Sequence, residues 1–78
     1  MMGKEYPIFD AYVATHTKEQ LANLIKSVNL KQSEKRVMLL IYTDGISGAM
    51  AAAKIASNER NVSKLRRSAR EKIELFLS

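Results

Sequence analysis

Seven cationic side chains lie between Lys54 and Lys72, together with only two anionic ones. The rest of the chain holds six residues of each sign, so the whole net charge of +5 belongs to this one quarter of the sequence. A concentrated positive surface attracts polyanions. Nucleic acid is the first partner to expect, and an anionic membrane surface or an acidic protein comes second.

Histidine, serine and carboxylate residues are present, but their spacing does not fit a catalytic or metal-binding site. His16 is the chain's one histidine and there is no cysteine, which argues against a metal site. The serines have no base spaced to activate them, and the carboxylates are scattered. Gly45 and Gly48 are not followed by the Lys-Ser/Thr pair of a phosphate-binding loop. The sequence predicts a protein that is not an enzyme, with no metal, no other cofactor and no small-molecule substrate.

Length and composition set the class of protein. A chain of 78 residues with 46% hydrophobic content is expected to form one globular domain, residues 1–78. Its longest apolar run, residues 37–42, is too short to span a membrane, and residues 1–5 lack the apolar stretch of a signal peptide. We therefore expect a cytoplasmic protein with no membrane partner. A core this small and without disulfides makes a homodimer a reasonable expectation.

Capping signals and apolar spacing predict an all-α fold of four or five helices. Residues 17–20, Thr-Lys-Glu-Gln, have the form of a capping box, and the helix that follows carries an apolar stripe. Its members are Leu21, Leu24, Ile25 and Val28. Ser33 and Glu34 begin the next helix, which ends at Asp44-Gly45. The segment 6–16 fits either a short helix opening at Pro7 or an extended arm, and the helix is favoured.

The last two predicted helices are an alanine-rich helix capped by Ser47 and a long helix, about residues 59–76, capped by Asn58. On the long helix five apolar residues fall within about 80° of one another, as a core-facing strip. These are Val62, Leu65, Ala69, Ile73 and Phe76. Arg60, Lys64 and Arg67 lie roughly opposite to that strip. Met38 and Met50 are expected to fill the core.

The alanine-rich helix, a short turn and the long helix match a helix-turn-helix pattern over about residues 46–70. Such a pair needs a small residue where the helices cross, and Ala52 meets this need. Apolar residues are also needed inside the angle between the two helices, and Ile55, Val62 and Leu65 occupy these positions. Ala56 stands at the turn position that usually holds glycine, and Ser57 stands where an apolar residue is commoner.

Docking of a helix-turn-helix on DNA assigns roles to these polar residues. The N-terminal part of the second helix lies near base edges in the major groove, which gives a set of base-contact candidates: Asn58, Glu59, Arg60, Asn61, Ser63, Lys64 and Arg67. Other residues are better placed to neutralise or bind phosphates. They are Ser47, Lys54, Arg66, Arg70 and Lys72.

Residues 42–76, YTDGISGAMAAAKIASNERNVSKLRRSAREKIELF, resemble the helix-turn-helix segment of KorA/TrfB-type plasmid repressors and, more loosely, PapB-type fimbrial regulators. Asp44-Gly45, Ala52 and Val62-Ser63 carry the resemblance. It implies a bacterial, nucleoid- or plasmid-associated repressor that binds double-stranded DNA as a homodimer or higher oligomer. Lys64 replaces a glutamine that KorA-like proteins tend to use in recognition, so their operator is not transferred. The PapB-like similarity leaves the choice of groove open.

Two interpretations from different classes follow from these residues. The first is a sequence-specific DNA-binding transcriptional regulator, a repressor of a plasmid, phage or fimbrial-type operon. The second is a small protein-interaction module that binds an acidic host protein through the basic helix. An RNA binder ranks lower because no aromatic platform accompanies the cations. If the chain dimerises, residues 6–30 or 73–77 are the candidate surfaces.

Overall fold

The computed structural model describes residues 5–78, and residues 1–4, which bear on the signal-peptide prediction, lie outside the described part. Helix makes up 77% of the described chain, which contains no strand, as predicted for an all-α fold. The helices are α1 (Pro7–Thr15), α2 (Lys18–Ser27), α3 (Gln32–Met38), α4 (Gly48–Lys54) and α5 (Glu59–Leu77). A π-helical segment, Leu39–Thr43, continues directly from α3.

The favoured helical interpretation of segment 6–16 is confirmed, with Pro7 at the first position of α1. Tyr6 provides no side-chain cap to this helix. The Glu74 carboxylate accepts hydrogen bonds from the amides of Ile8 at 3.1 Å and Phe9 at 2.9 Å instead. A negative charge at a helix N-terminus satisfies free amides and complements the helix dipole. Glu74 therefore fastens α1 to the far end of α5.

The capping box that begins α2 is confirmed in both directions. The Thr17 hydroxyl accepts from the amide of Gln20 at 3.1 Å, and the Gln20 side-chain carbonyl accepts from the amide of Thr17 at 2.9 Å. The predicted apolar stripe of α2 is buried in the first of two core clusters. This cluster packs α1 and α2 against the C-terminal half of α5, where Ala69 and Ile73 are fully buried.

A second core cluster packs α3 and α4 against the N-terminal half of α5. Its buried members are Val37, Ala51, Ala52 and Val62. Two of these four side chains are alanines, whose small size lets neighbouring helices pack closely. Helix α5 therefore runs through the whole molecule and contributes to both clusters.

The π-helical end of α3 was not predicted from the sequence. The amide of Asp44 reaches the carbonyl of Leu39 at 3.0 Å, five residues earlier, before Gly45 ends the segment at φ +70°. Of the half-buried side chains here, Leu39 and Tyr42 pack on the first cluster, while Leu40 and Ile41 pack on the second. The wider turn lets one short segment serve both clusters.

Two expectations about the core are wrong. Phe76 is 55% exposed, although its position on the helical wheel places it on the apolar strip of α5. Met50 is also 55% exposed and does not fill the core as Met38 does. Leu65, in the predicted strip, is only half-buried. Position on a helical wheel gives the direction of a side chain, whereas burial also needs a neighbouring element at that height along the helix.

Candidate nucleic-acid interface

The turn between α4 and α5 contains a residue in the left-handed conformation. Ala56 adopts φ +54°, in the left-handed region. The amide of Ser57 donates to the carbonyl of Ala52 at 2.8 Å, and the amide of Ala56 donates to the carbonyl of Ala53 at 3.2 Å. This pair of bonds is a Schellman motif, which ends a helix and reverses its direction. Ala56 thus takes the strained turn position at which glycine is the usual residue.

Asn58 begins α5 as predicted, because its side-chain oxygen accepts from the amide of Asn61 at 2.8 Å. The side-chain amide of Asn61 in turn donates to the Ser57 hydroxyl at 2.8 Å. An open depression of about 340 Å³ lies here, lined by Ser57, Asn58, Arg60, Asn61 and Lys64. The asparagines therefore hold the turn in place, and Arg60 and Lys64 supply the charge beside it.

The outward face of α5 carries three exposed cations in its first three turns: Arg60, Lys64 and Arg67. No hydrogen bond or ion pair joins these three side chains to any residue within the described range 5–78. Val62 and Ala69 are buried on the opposite side of the helix. The predicted base-contact candidates Glu59 and Ser63 are exposed alongside these cations.

Three of the five predicted phosphate contacts have their polar groups engaged inside the protein. Arg66 donates from Nε and Nη2 to the Tyr42 hydroxyl at 3.1 and 2.9 Å. Arg70 lies over the Tyr6 ring, 4.6 Å from its centroid, and pairs with Asp10 at 3.6 Å. The third residue is Lys72, which is bound to Glu34. The outward cluster is therefore smaller than the count of cations in the sequence suggests.

Lys72 is bound to the one buried charged residue of the described chain, Glu34, at 2.8 Å. Burial raises the pKa of Glu34, but hydrogen bonds from Lys72, Ser68 and the amide of Lys31 outweigh it, so that the pKa lies below its ordinary value. Glu34 also caps α3 by accepting from the Lys31 amide at 2.9 Å. This pair ties α3 to α5.

The remaining two phosphate candidates, Ser47 and Lys54, lie at the two ends of α4 and are both exposed. Ser47 is the N-cap of α4, as predicted, and its hydroxyl accepts from the amide of Met50 at 3.2 Å. The exposed Arg36, which was not singled out from the sequence, donates to the carbonyl of Lys54 at 3.1 Å. Arg36 therefore adds a positive charge beside the α4–α5 turn. Because Arg36 lies 18 residues before Lys54, no local sequence pattern predicts this placement.

No protein-family model matches this chain, and comparisons with curated proteins and with solved structures found no match. The resemblance of residues 42–76 to KorA/TrfB-type repressors therefore rests on those residues alone. Within residues 5–78 no cluster of three or more histidine, cysteine or carboxylate side chains is placed to hold a metal ion. None of the helices described is both long enough and apolar enough to cross a membrane.

Proposed function

We propose that this protein is a sequence-specific DNA-binding transcriptional regulator that acts through α4 and α5. The observation that carries the proposal is the face of Arg60, Lys64 and Arg67, exposed and unpaired within the described chain, on a helix whose other side is buried. Such a face offers donors for guanine O6 and N7 in the major groove. The short turn after α4 supports the same assignment, because it places this face beside the exposed ends of α4.

In this proposal the polar residues divide into two groups. Arg60, Lys64 and Arg67 contact base edges, and the asparagines at 58 and 61 fix the turn and border the same depression. Lys54 and Ser47 contact phosphates, with Arg36 as an added contact. The proposal further includes a homodimer on the DNA and repression of a plasmid, phage or fimbrial-type operon in the bacterial cytoplasm, as the resemblance implies.

Selection of bound sequences from random double-stranded DNA tests the function. We expect one preferred sequence to be enriched, and affinity for it to fall steeply as salt concentration rises, because several phosphate contacts release counterions. A protein-interaction module would instead enrich no sequence and would bind acidic proteins. Enrichment of no sequence would contradict the proposal.

Single substitutions test the division of roles. Arg60→Ala should relax preference at one base pair by roughly 1–3 kcal/mol, whereas Lys54→Ala should weaken binding to all sequences about equally. Lys26→Ala is the matched control, since it removes an exposed cation from the last turn of α2, outside the α4–α5 pair. Gel-shift assays on selected and random DNA measure all three variants. Equal losses for Arg60→Ala and Lys26→Ala on both DNAs would contradict the assignment.

A further inference from the structure

Four large apolar side chains are exposed among residues 5–78, and two of them are neighbours on the last turn of α5. Leu75 is 72% exposed and Phe76 is 55% exposed. Of the others, Met50 lies on α4, and Ile8 lies at the start of α1, where its amide is hydrogen-bonded to Glu74. Aromatic residues are enriched at protein interfaces, which makes this pair a candidate association surface.

The packing of α1 leaves this pair uncovered. Glu74, one residue earlier, points to α1 and caps it. Leu75 and Phe76 follow at 100° and 200° around the helix from Glu74, so neither points in the direction of Glu74, and both are exposed. Leu77 turns back to pack on the first core cluster. The end of α5 is thus held firmly on one side and presents Leu75 and Phe76 to solvent on the other.

We propose that Leu75 and Phe76 form the contact with a second copy of this chain, and that the resulting dimer sets the spacing of two DNA half-sites. This inference rests on the proposed function. A two-fold axis through the end of α5 brings the same apolar pair from each copy together, as in the isologous interfaces of most homodimers.

The length of α5 supports a second copy as the occupant. The centre of the basic face, near Val62, and the apolar pair are separated by 13 or 14 residues of one continuous helix. At 1.5 Å per residue this is about 20 Å. Two copies joined at Leu75 and Phe76 therefore separate their basic faces by up to about 40 Å. The spacing of half-sites one helical turn apart, roughly 34–36 Å, lies within that reach.

The area of the patch indicates how strong the dimer is. A whole aromatic side chain covers roughly 150–250 Å², so the exposed parts of Leu75 and Phe76 offer on the order of 250 Å² per copy. Stable interfaces bury about 1,200 Å² or more in total. The patch alone is therefore suited to weak self-association, which binding to paired half-sites strengthens by holding two copies side by side.

Disulfide cross-linking tests the interface directly, because the chain contains no cysteine. Residues beside a two-fold axis meet their own copies, so the Phe76→Cys variant should form a disulfide-linked dimer under mild oxidation. The Met50→Cys variant is the matched control, since Met50 is equally exposed. DNA carrying two selected half-sites one turn apart should increase the yield severalfold for Phe76→Cys. A yield for Phe76→Cys no higher than for Met50→Cys, with and without DNA, would overturn the interface.

A second variant separates the interface from DNA recognition. The double substitution Leu75→Ser with Phe76→Ser removes apolar surface that is mostly exposed, and far-UV circular dichroism verifies that the variant folds. It should lower affinity for paired half-sites about tenfold or more and leave affinity for a single half-site unchanged. Equal affinity of this variant and the unaltered protein for paired half-sites would overturn the proposal. If selection enriches no DNA but Phe76→Cys still cross-links, the DNA-binding function fails and the self-association surface stands.

Discussion

At the scale of single residues, the turn between α4 and α5 depends on one strained alanine. An L-residue in the left-handed region is destabilised by roughly 1–2 kcal/mol, and glycine avoids most of this strain at some cost in chain entropy. Ala56 adopts this conformation because the two Schellman hydrogen bonds require it. The strain is local, so it can be measured by one substitution.

Ala56→Gly should raise the free energy of unfolding by roughly 0.5–1 kcal/mol. Ala53→Gly is the matched control: the same change in α4, at an exposed residue with ordinary helical geometry, should lower it by about 1 kcal/mol. Urea unfolding measures both, with unchanged m-values as the check on two-state behaviour. A destabilised Ala56→Gly variant would contradict the left-handed geometry.

Glu34 provides a second prediction at this scale, on pH. Its folded pKa lies below the ordinary value of 4.5, so the ionised form is favoured by folding. This contribution to stability is fully present above about pH 4.5 and is lost as the pH falls through the lower folded pKa.

Glu34→Gln should therefore lower stability at neutral pH by roughly 1–3 kcal/mol and flatten the fall in stability below pH 4.5. Glu19→Gln, on an exposed residue of α2, should keep the pH dependence of the unaltered protein. Thermal unfolding across an acidic pH series measures this. Parallel curves for Glu34→Gln and the unaltered protein would show that the Lys72 pair is not responsible.

At the scale of elements, contacts from other helices fix the orientation of α5 about its own axis. Tyr42, in the π-helical segment, accepts both hydrogen bonds of Arg66 and meets the Phe9 ring edge-on at 5.3 Å. Glu74 and Glu34 hold the C-terminal half of the helix. These contacts determine which side of α5 faces solvent, so they position the basic face.

The Tyr42→Phe variant tests whether Arg66 positions α5 or contacts phosphate. It removes the acceptor of Arg66 but keeps the ring and the arginine charge. We expect Tyr42→Phe and Arg66→Ala to lower stability by about 1 kcal/mol each and to lower DNA affinity by similar factors. Denaturation and gel-shift assays measure the two effects. A loss of affinity in Arg66→Ala alone would indicate a direct phosphate contact instead.

At the scale of the whole molecule, positive charge and apolar surface are separated along one helix. The radius of gyration is 11.8 Å, close to the ~11.5 Å expected for a compact domain of this length. Helix α5 nevertheless runs the full length of both core clusters, with cations exposed at its beginning and Leu75 and Phe76 exposed at its end. In our two proposals, the cationic end of α5 binds DNA and the apolar end contacts a second copy of the chain.

The five α-helices were predictable from the sequence, since caps and apolar periodicity act over a few residues, whereas the π-helical segment was not. The caps at Thr17, Ser47 and Asn58 and the left-handed turn at Gly45 are all present. Which cations face solvent depended instead on tertiary packing. Three cations of α5 have partners inside the protein, unlike Arg60 and Lys64. Arg66 binds Tyr42, Arg70 contacts Asp10 and Tyr6, and Lys72 binds Glu34. These partners are 24 to 64 residues away in the chain. Local sequence sets the direction of a side chain on its helix, but what it meets there depends on how distant elements pack.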